Sequence, residues 1–149
     1  MGNICRSPLA EGVFEHLAAH DGLSDRFQAE SGAVGAWHVG EDYDARTRRV
    51  ARAHGLRLDG KAKQFRPGDF ARFDHVFALD EDIAYSLRRL ARTDADRAKI
   101  QLLRVYDPLA DGNLNVPDPY YDGMEEFESV YQMTARACRA LLDALKADA

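Results

Sequence analysis

The chain has 149 residues, a hydrophobic fraction of 46% and a charged fraction of 30%, the proportions of one soluble globular domain with a substantial core. Its net charge of -5 argues against a general nucleic-acid binder, no apolar run reaches the length of a membrane span, and no signal peptide is visible. Two cysteines, Cys5 and Cys138, make no disulfide scaffold and favour a cytoplasmic setting; the five histidines show no spacing with them that suggests a metal. No cofactor motif, internal repeat or linker is found.

The first eight residues, Met1 to Pro8, read as an anion-binding loop running into a helix. Ser7 is placed to cap that helix and Pro8 to open it, because the amide that proline lacks would have no partner there. First-turn amides then point at the loop and the helix dipole adds positive potential. Gly2 permits close backbone approach, and the fork of Arg6 can bond two oxygens of a phosphate. The helix is expected over 8 to about 20, with Leu9, Val13 and Leu17 on one face and a stop at Asp21-Gly22.

Phe27 to Ser31 is a weakly patterned strand candidate that runs into a turn, where Ser31 bonds either its own turn or a loop residue such as Asn3. Trp37 sits in a polar, glycine-bounded loop, and from pattern alone it is either core or exposed wall. A second helix is expected over 44 to 54, capped by Asp44 and stopped by Gly55, its arginines 46, 48, 49 and 52 reading mainly as a solvated face. A short turn at 67 to 72 precedes the apolar run His75 to Leu79, a buried parallel strand that ends at Asp80, where such strands place functional groups. A helix over 81 to 92, a strand over 99 to 103 and a final helix over 124 to 147 complete the pattern. Cys138 lies in the apolar stripe of that last helix and reads as a small buried hydrophobe. Between 104 and 122 runs a long loop, and loops of this length tend to be functional. In it Asp118 stands between Pro117 and Pro119, followed by Tyr120 and Tyr121.

Gly2-Asn3-Ile4-Cys5-Arg6-Ser7-Pro8 and Asp118-Pro119-Tyr120-Tyr121 together resemble the phosphate loop and acid loop of the low-molecular-weight protein tyrosine phosphatases, and the resemblance covers nearly all of residues 2 to 145. It implies a doubly wound α/β fold, a parallel sheet flanked by helices in one domain spanning 1–149. It also implies hydrolysis of phosphotyrosine monoesters, with a phosphotyrosine protein or a small aryl phosphate as partner. Arg6 would bind the equatorial oxygens and Asp118 would act as general acid. Gly2, Asn3, Ile4, Cys5 and Ser7 would form the cradle, Trp37, Tyr120 and Tyr121 the aromatic walls, and Ser31 a support beneath the loop. At Gly60 and Lys63 the sequence departs from the family, which often has histidine and arginine there; the histidine belongs to a hydrogen-bond network around the loop, so other groups must build that network here.

The family motif is C-x5-R-S, and counting back six places from Arg6 lands one residue before Met1. The nucleophilic cysteine and the strand that carries it are therefore expected to be missing, and the 149-residue chain is expected to be inactive. Three explanations are open. The start is an internal methionine of a longer protein, which is favoured because the family often has Leu or Met between the cysteine and the glycine. Alternatively, an oligomer compensates for the strand, or the chain is a non-catalytic relative. A phosphate-binding or interaction module without turnover is the competing functional class. Arsenate reductase shares the fold, but it needs redox cysteines near the loop.

Overall fold

The computed structural model describes residues 4–148. Helix α1 spans Arg6–His20, α2 Ala45–Ala53, strand β1 Val76–Ala78, helix α3 Glu81–Leu90, α4 Asp94–Ala98, strand β2 Ile100–Leu102 and helix α5 Met124–Asp148, with 3-10 turns at Pro67–Arg72 and Leu103–Tyr106. β1 and β2 run parallel, Val76 opposite Ile100 and Ala78 opposite Leu102. Alternation along the first strand builds a core on each face. Val76 and Ala78 pack with Phe70, Leu87 and Ile100, on the side of α3. Phe77 and Leu79 turn the other way, into a larger core with Leu9, Val13 and Phe14 of α1 and Val130, Leu141 and Leu142 of α5. Helices thus cover both faces of a parallel sheet, the α/β arrangement the sequence implies.

The local signals work where a side chain can satisfy a helix terminus. Asp44 caps α2 by accepting from the amide of Arg46, and Gly55 ends that helix at φ +80°, a backbone conformation that glycine adopts without strain. Asp80 caps α3 through the amide of Ile83, and that helix stops at Leu90; Thr93 then caps a short α4 through Asp96, a helix beyond the one expected over 81 to 92. At the base of the long loop, the buried Asp107 carboxylate receives Arg104 at 3.1 Å and Arg136 of α5 at 2.8 Å. The buried set of α5 includes Cys138, as its stripe predicts.

Two expectations fail. Helix α1 starts two residues earlier than expected, with Cys5 at the cap position and no side-chain cap bond. Ser7 is therefore the second helical residue and Pro8 the third, still inside the first turn where a missing amide costs nothing. Residues 27–31 form no strand. Ala33, just beyond them, pairs with the segment around Gln64 by donating to Lys63 O and accepting from Phe65 N. On the other side a cavity of about 960 Å³, lined by Phe14, Ala29, Val76, Phe77 and Leu141 among others, separates 27–31 from the sheet, so its backbone has no ladder to join.

Candidate active site

Three elements converge on the guanidinium of Arg6, the first residue of α1. Only 4% exposed, its Nη1 donates to Asp80 Oδ2 at 2.7 Å and to the carbonyl of Val116 at 2.7 Å. Asp80 stands at the carboxyl end of β1 and uses its other oxygen to cap α3. One carboxylate thus orients both the arginine and a helix. Val116 belongs to the acid loop, and its own amide donates to Leu79 O at 2.8 Å. The acid loop is therefore pinned to the strand end two residues before Asp118.

Asp118 is exposed, its Oδ1 accepting from the amide of Tyr120 at 3.1 Å. Its charge acts on the Cys5 thiol. Ile4 and Cys5 are buried with Val50, Ala62 and Phe127, and Tyr120 packs against them. Their carbonyls are tied to the start of α2: Ile4 O accepts from the amide of Asp44 at 2.8 Å, and Cys5 O from the hydroxyl of Thr47 at 3.4 Å. Residues of both sequence motifs, Ile4 and Cys5 of the first and Tyr120 of the second, are therefore packed against one another near the start of α1. Ser7 is half-buried in the first turn of that helix. Gly2 and Asn3, expected in the cradle, lie outside the described residues, and so does any bond from Asn3 to Ser31.

The support beneath the pocket is a relay. Ser31 donates to Glu11 Oε1 at 2.9 Å, and the hydroxyl of Tyr43 lies beside the pair. A Cβ added at Gly60 would stand 2.6 Å from that hydroxyl, so the ring of Tyr43 fills the space beside Gly60 where the family often places histidine. Burial raises the carboxyl pKa of Glu11, against the opposing hydrogen bonds of Ser31 and the charge of Lys63.

Of the aromatic walls, Trp37 is 67% exposed, its ring folded over Gly35, which removes the core alternative. Its loop meets the acid loop through His38, whose ring centre is 6.0 Å from that of Tyr120. Tyr120 is half-buried, while Tyr121, packed edge-on against it, is 94% exposed. The tyrosine pair therefore divides, with Tyr120 packed against Ile4 and Cys5 and Tyr121 largely in solvent.

Neither thiol is poised as a nucleophile. Burial pushes Cys5 up to about 12, with the charges of Asp44 and Asp118 adding to it and Thr47 and Arg46 opposing. Cys138 is pushed up to about 12 by burial alone, with its Sγ 3.7 Å from Ala10 O. At neutral pH both thiols are held in the protonated form. Among the described residues no cluster of three histidine, cysteine or carboxylate ligands could hold a metal ion, and no helix is long and apolar enough to cross a membrane.

Sequence reading missed three contributors. Asp80 was legible as a strand-end carboxylate, but not as the partner of Arg6. Tyr43 carried no signal, because its partners lie 12 and 32 residues away. Arg46, read as part of a solvated face, instead reaches Tyr120 O at 2.8 Å and Asp122 O at 3.1 Å.

A buried arginine opens a helix and is locked both to the end of a parallel strand and to the carbonyl of Val116, in an α/β protein of the kind the sequence resembles. A profile of the family described as low molecular weight phosphotyrosine protein phosphatase matches residues 1–149. The low molecular weight protein-tyrosine-phosphatase of Streptomyces coelicolor is 48% identical over 146 residues, 97% of this chain and 89% of that protein. The low molecular weight phosphotyrosine protein phosphatase of Sus scrofa is 42% identical over 147 residues, 98% of this chain and 92% of that protein. A crystal structure of a protein tyrosine phosphatase from Entamoeba histolytica superposes with a TM-score of 0.94 at 30% identity, covering 99% of this chain and 94% of the other. The chain belongs to the low molecular weight phosphotyrosine protein phosphatase family.

Proposed function

We propose that the pocket takes phosphotyrosine monoesters and that Asp118 serves as the general acid that protonates the departing phenolate. Hydrolysis of an aryl phosphate needs an in-line attacking group, neutralisation of the equatorial oxygens and a proton for the leaving group. The first-turn amides and Arg6 answer the second need, and Asp118 the third. The first calls for a low-pKa thiol. Cys5 and Cys138 are the only thiols of the sequence and both are held protonated, so the 149-residue chain binds its ligand without turning it over. The observation that carries the reading is the Arg6 node, which draws the helix terminus, the strand end and the acid loop to one point. The burial of Cys138 supports it over arsenate reduction, which would need redox thiols beside the loop.

Titration calorimetry with matched phosphotyrosine and phosphoserine peptides tests the specificity. An aromatic wall at Trp37 and Tyr120 contributes about 0.5–1.5 kcal/mol to a stacked ring, so phosphotyrosine should bind roughly two- to tenfold more tightly. Equal affinities would contradict the aryl specificity, and no binding of either peptide would contradict the phosphate site.

A further inference from the structure

Arg46 joins the two halves of the pocket. Its Nε and Nη2 grip the two oxygens of Asp44, at 3.0 and 2.8 Å. Nη2 also reaches Tyr120 O at 2.8 Å, and Nη1 reaches Asp122 O at 3.1 Å. The guanidinium lies 4.5 Å over the ring of Phe127, which limits its freedom further. Asp44 in turn holds the cradle, since its amide donates to Ile4 O. On the far side, the amide of the same Tyr120 donates to Asp118 Oδ1. A continuous path thus runs from the carbonyl of Ile4 through Asp44, Arg46 and the Tyr120 peptide units to the carboxylate of the proposed acid.

We infer that Arg46, oriented by Asp44, is a positioning residue that fixes the height of Asp118 above the oxyanion cradle. The inference rests on Asp118 being the proton donor of the proposed reaction. An arginine that merely solvated the outer face of α2 would have no reason to spend its planar fork on a carboxylate and two carbonyls at once. Lysine could supply the charge at this place, but not a planar fork able to hold four acceptor contacts in one fixed geometry.

The test uses the 149-residue chain and two readouts, the first without ligand. In R46Q, hydrogen exchange at the Tyr120 amide, followed by NMR, should quicken at least tenfold while the amides of α3 keep their rates. D44N, which retains a capping oxygen but loses the ion pair, should move the same amide in the same direction, and R46K should fall between R46Q and the unaltered chain. The second readout is phenyl phosphate affinity at pH 7.5. With Arg46 present, D118N should tighten binding several-fold by removing a carboxylate that faces the dianion; in R46Q that gain should vanish. Unchanged Tyr120 exchange in R46Q would overturn the inference. Faster exchange with the D118N gain intact would also overturn it, by leaving Arg46 a structural role only. If phenyl phosphate fails to bind the unaltered chain, the proposed function falls, and with it the positioning of a proton donor, whatever the exchange rates report about the strut.

Discussion

Supplying a thiolate to the cradle should raise p-nitrophenyl phosphate turnover on the order of 10⁶-fold, the scale on which removing a catalytic nucleophile silences a hydrolase. The 149-residue chain should stay at the rate of the solvent reaction, because both of its thiols are pushed up to about 12 and neither is an anion at neutral pH. The same chain preceded by a short apolar strand ending in cysteine should be active. An added segment of that kind has room beside β1. The cavity of about 960 Å³ between residues 24–34 and the edge of β1 is walled by Phe14, Val76, Phe77, Leu87 and Leu141, and it reaches Cys5 and Arg6. An extended segment lying there would gain ladder bonds and apolar contacts while delivering its last side chain towards the α1 amides. In the extended protein, Asp118→Ala should then cost about 10²–10⁴-fold, the usual reach of general-acid catalysis. Robust turnover by the 149-residue chain, or none by the extended one, would contradict the thiol argument.

Replacing Arg6 by methionine should destabilise the fold by about 2–3 kcal/mol, less than the roughly 3–5 kcal/mol of a fully buried pair because Asp80 keeps an edge in solvent. Asp80 would keep its cap on α3 but lose the arginine that neutralises it, and Val116 O would lose a donor inside the protein. Urea denaturation measures the loss. Pairing Arg6→Met with Asp80→Asn should restore much of the stability, since asparagine can still cap α3 and carries no charge to strand. It should restore none of the phenyl phosphate binding, because the dianion would still lack its cation. That separation distinguishes an arginine that binds from one that merely packs. A single variant within 1 kcal/mol of the unaltered chain, or one that keeps its ligand affinity, would contradict the node.

How far the sequence foretold this depends on range. Asp44 and Gly55 bounded α2 because those signals rest on neighbours. The strand ending at Asp80 was visible as an unbroken apolar run, which only a doubly covered strand tolerates. The failures that bear on the site are long-range. Residues 27–31 have the composition of a strand, but a strand exists only where a neighbour offers a ladder, and a cavity lies on that side. Ser7 looked like a cap, yet the helix had already begun at Arg6, where the guanidinium is held by Asp80 and Val116, 74 and 110 residues away. Arg46 was one arginine among four on its helix. Nothing near it in the sequence says that it alone would meet the carbonyl of Tyr120, 74 residues on.

The most direct measurement is a crystal structure of the 149-residue chain with phenyl phosphate, which a protein without a poised thiolate leaves intact. The phosphoryl group should sit against the first-turn amides of α1 within reach of Arg6, with an Asp118 carboxylate oxygen about 2.6–3.2 Å from the bridging oxygen or joined to it by one water. A phosphoryl group lodged elsewhere, or Asp118 turned away from a ligand bound in the cradle, would contradict the account.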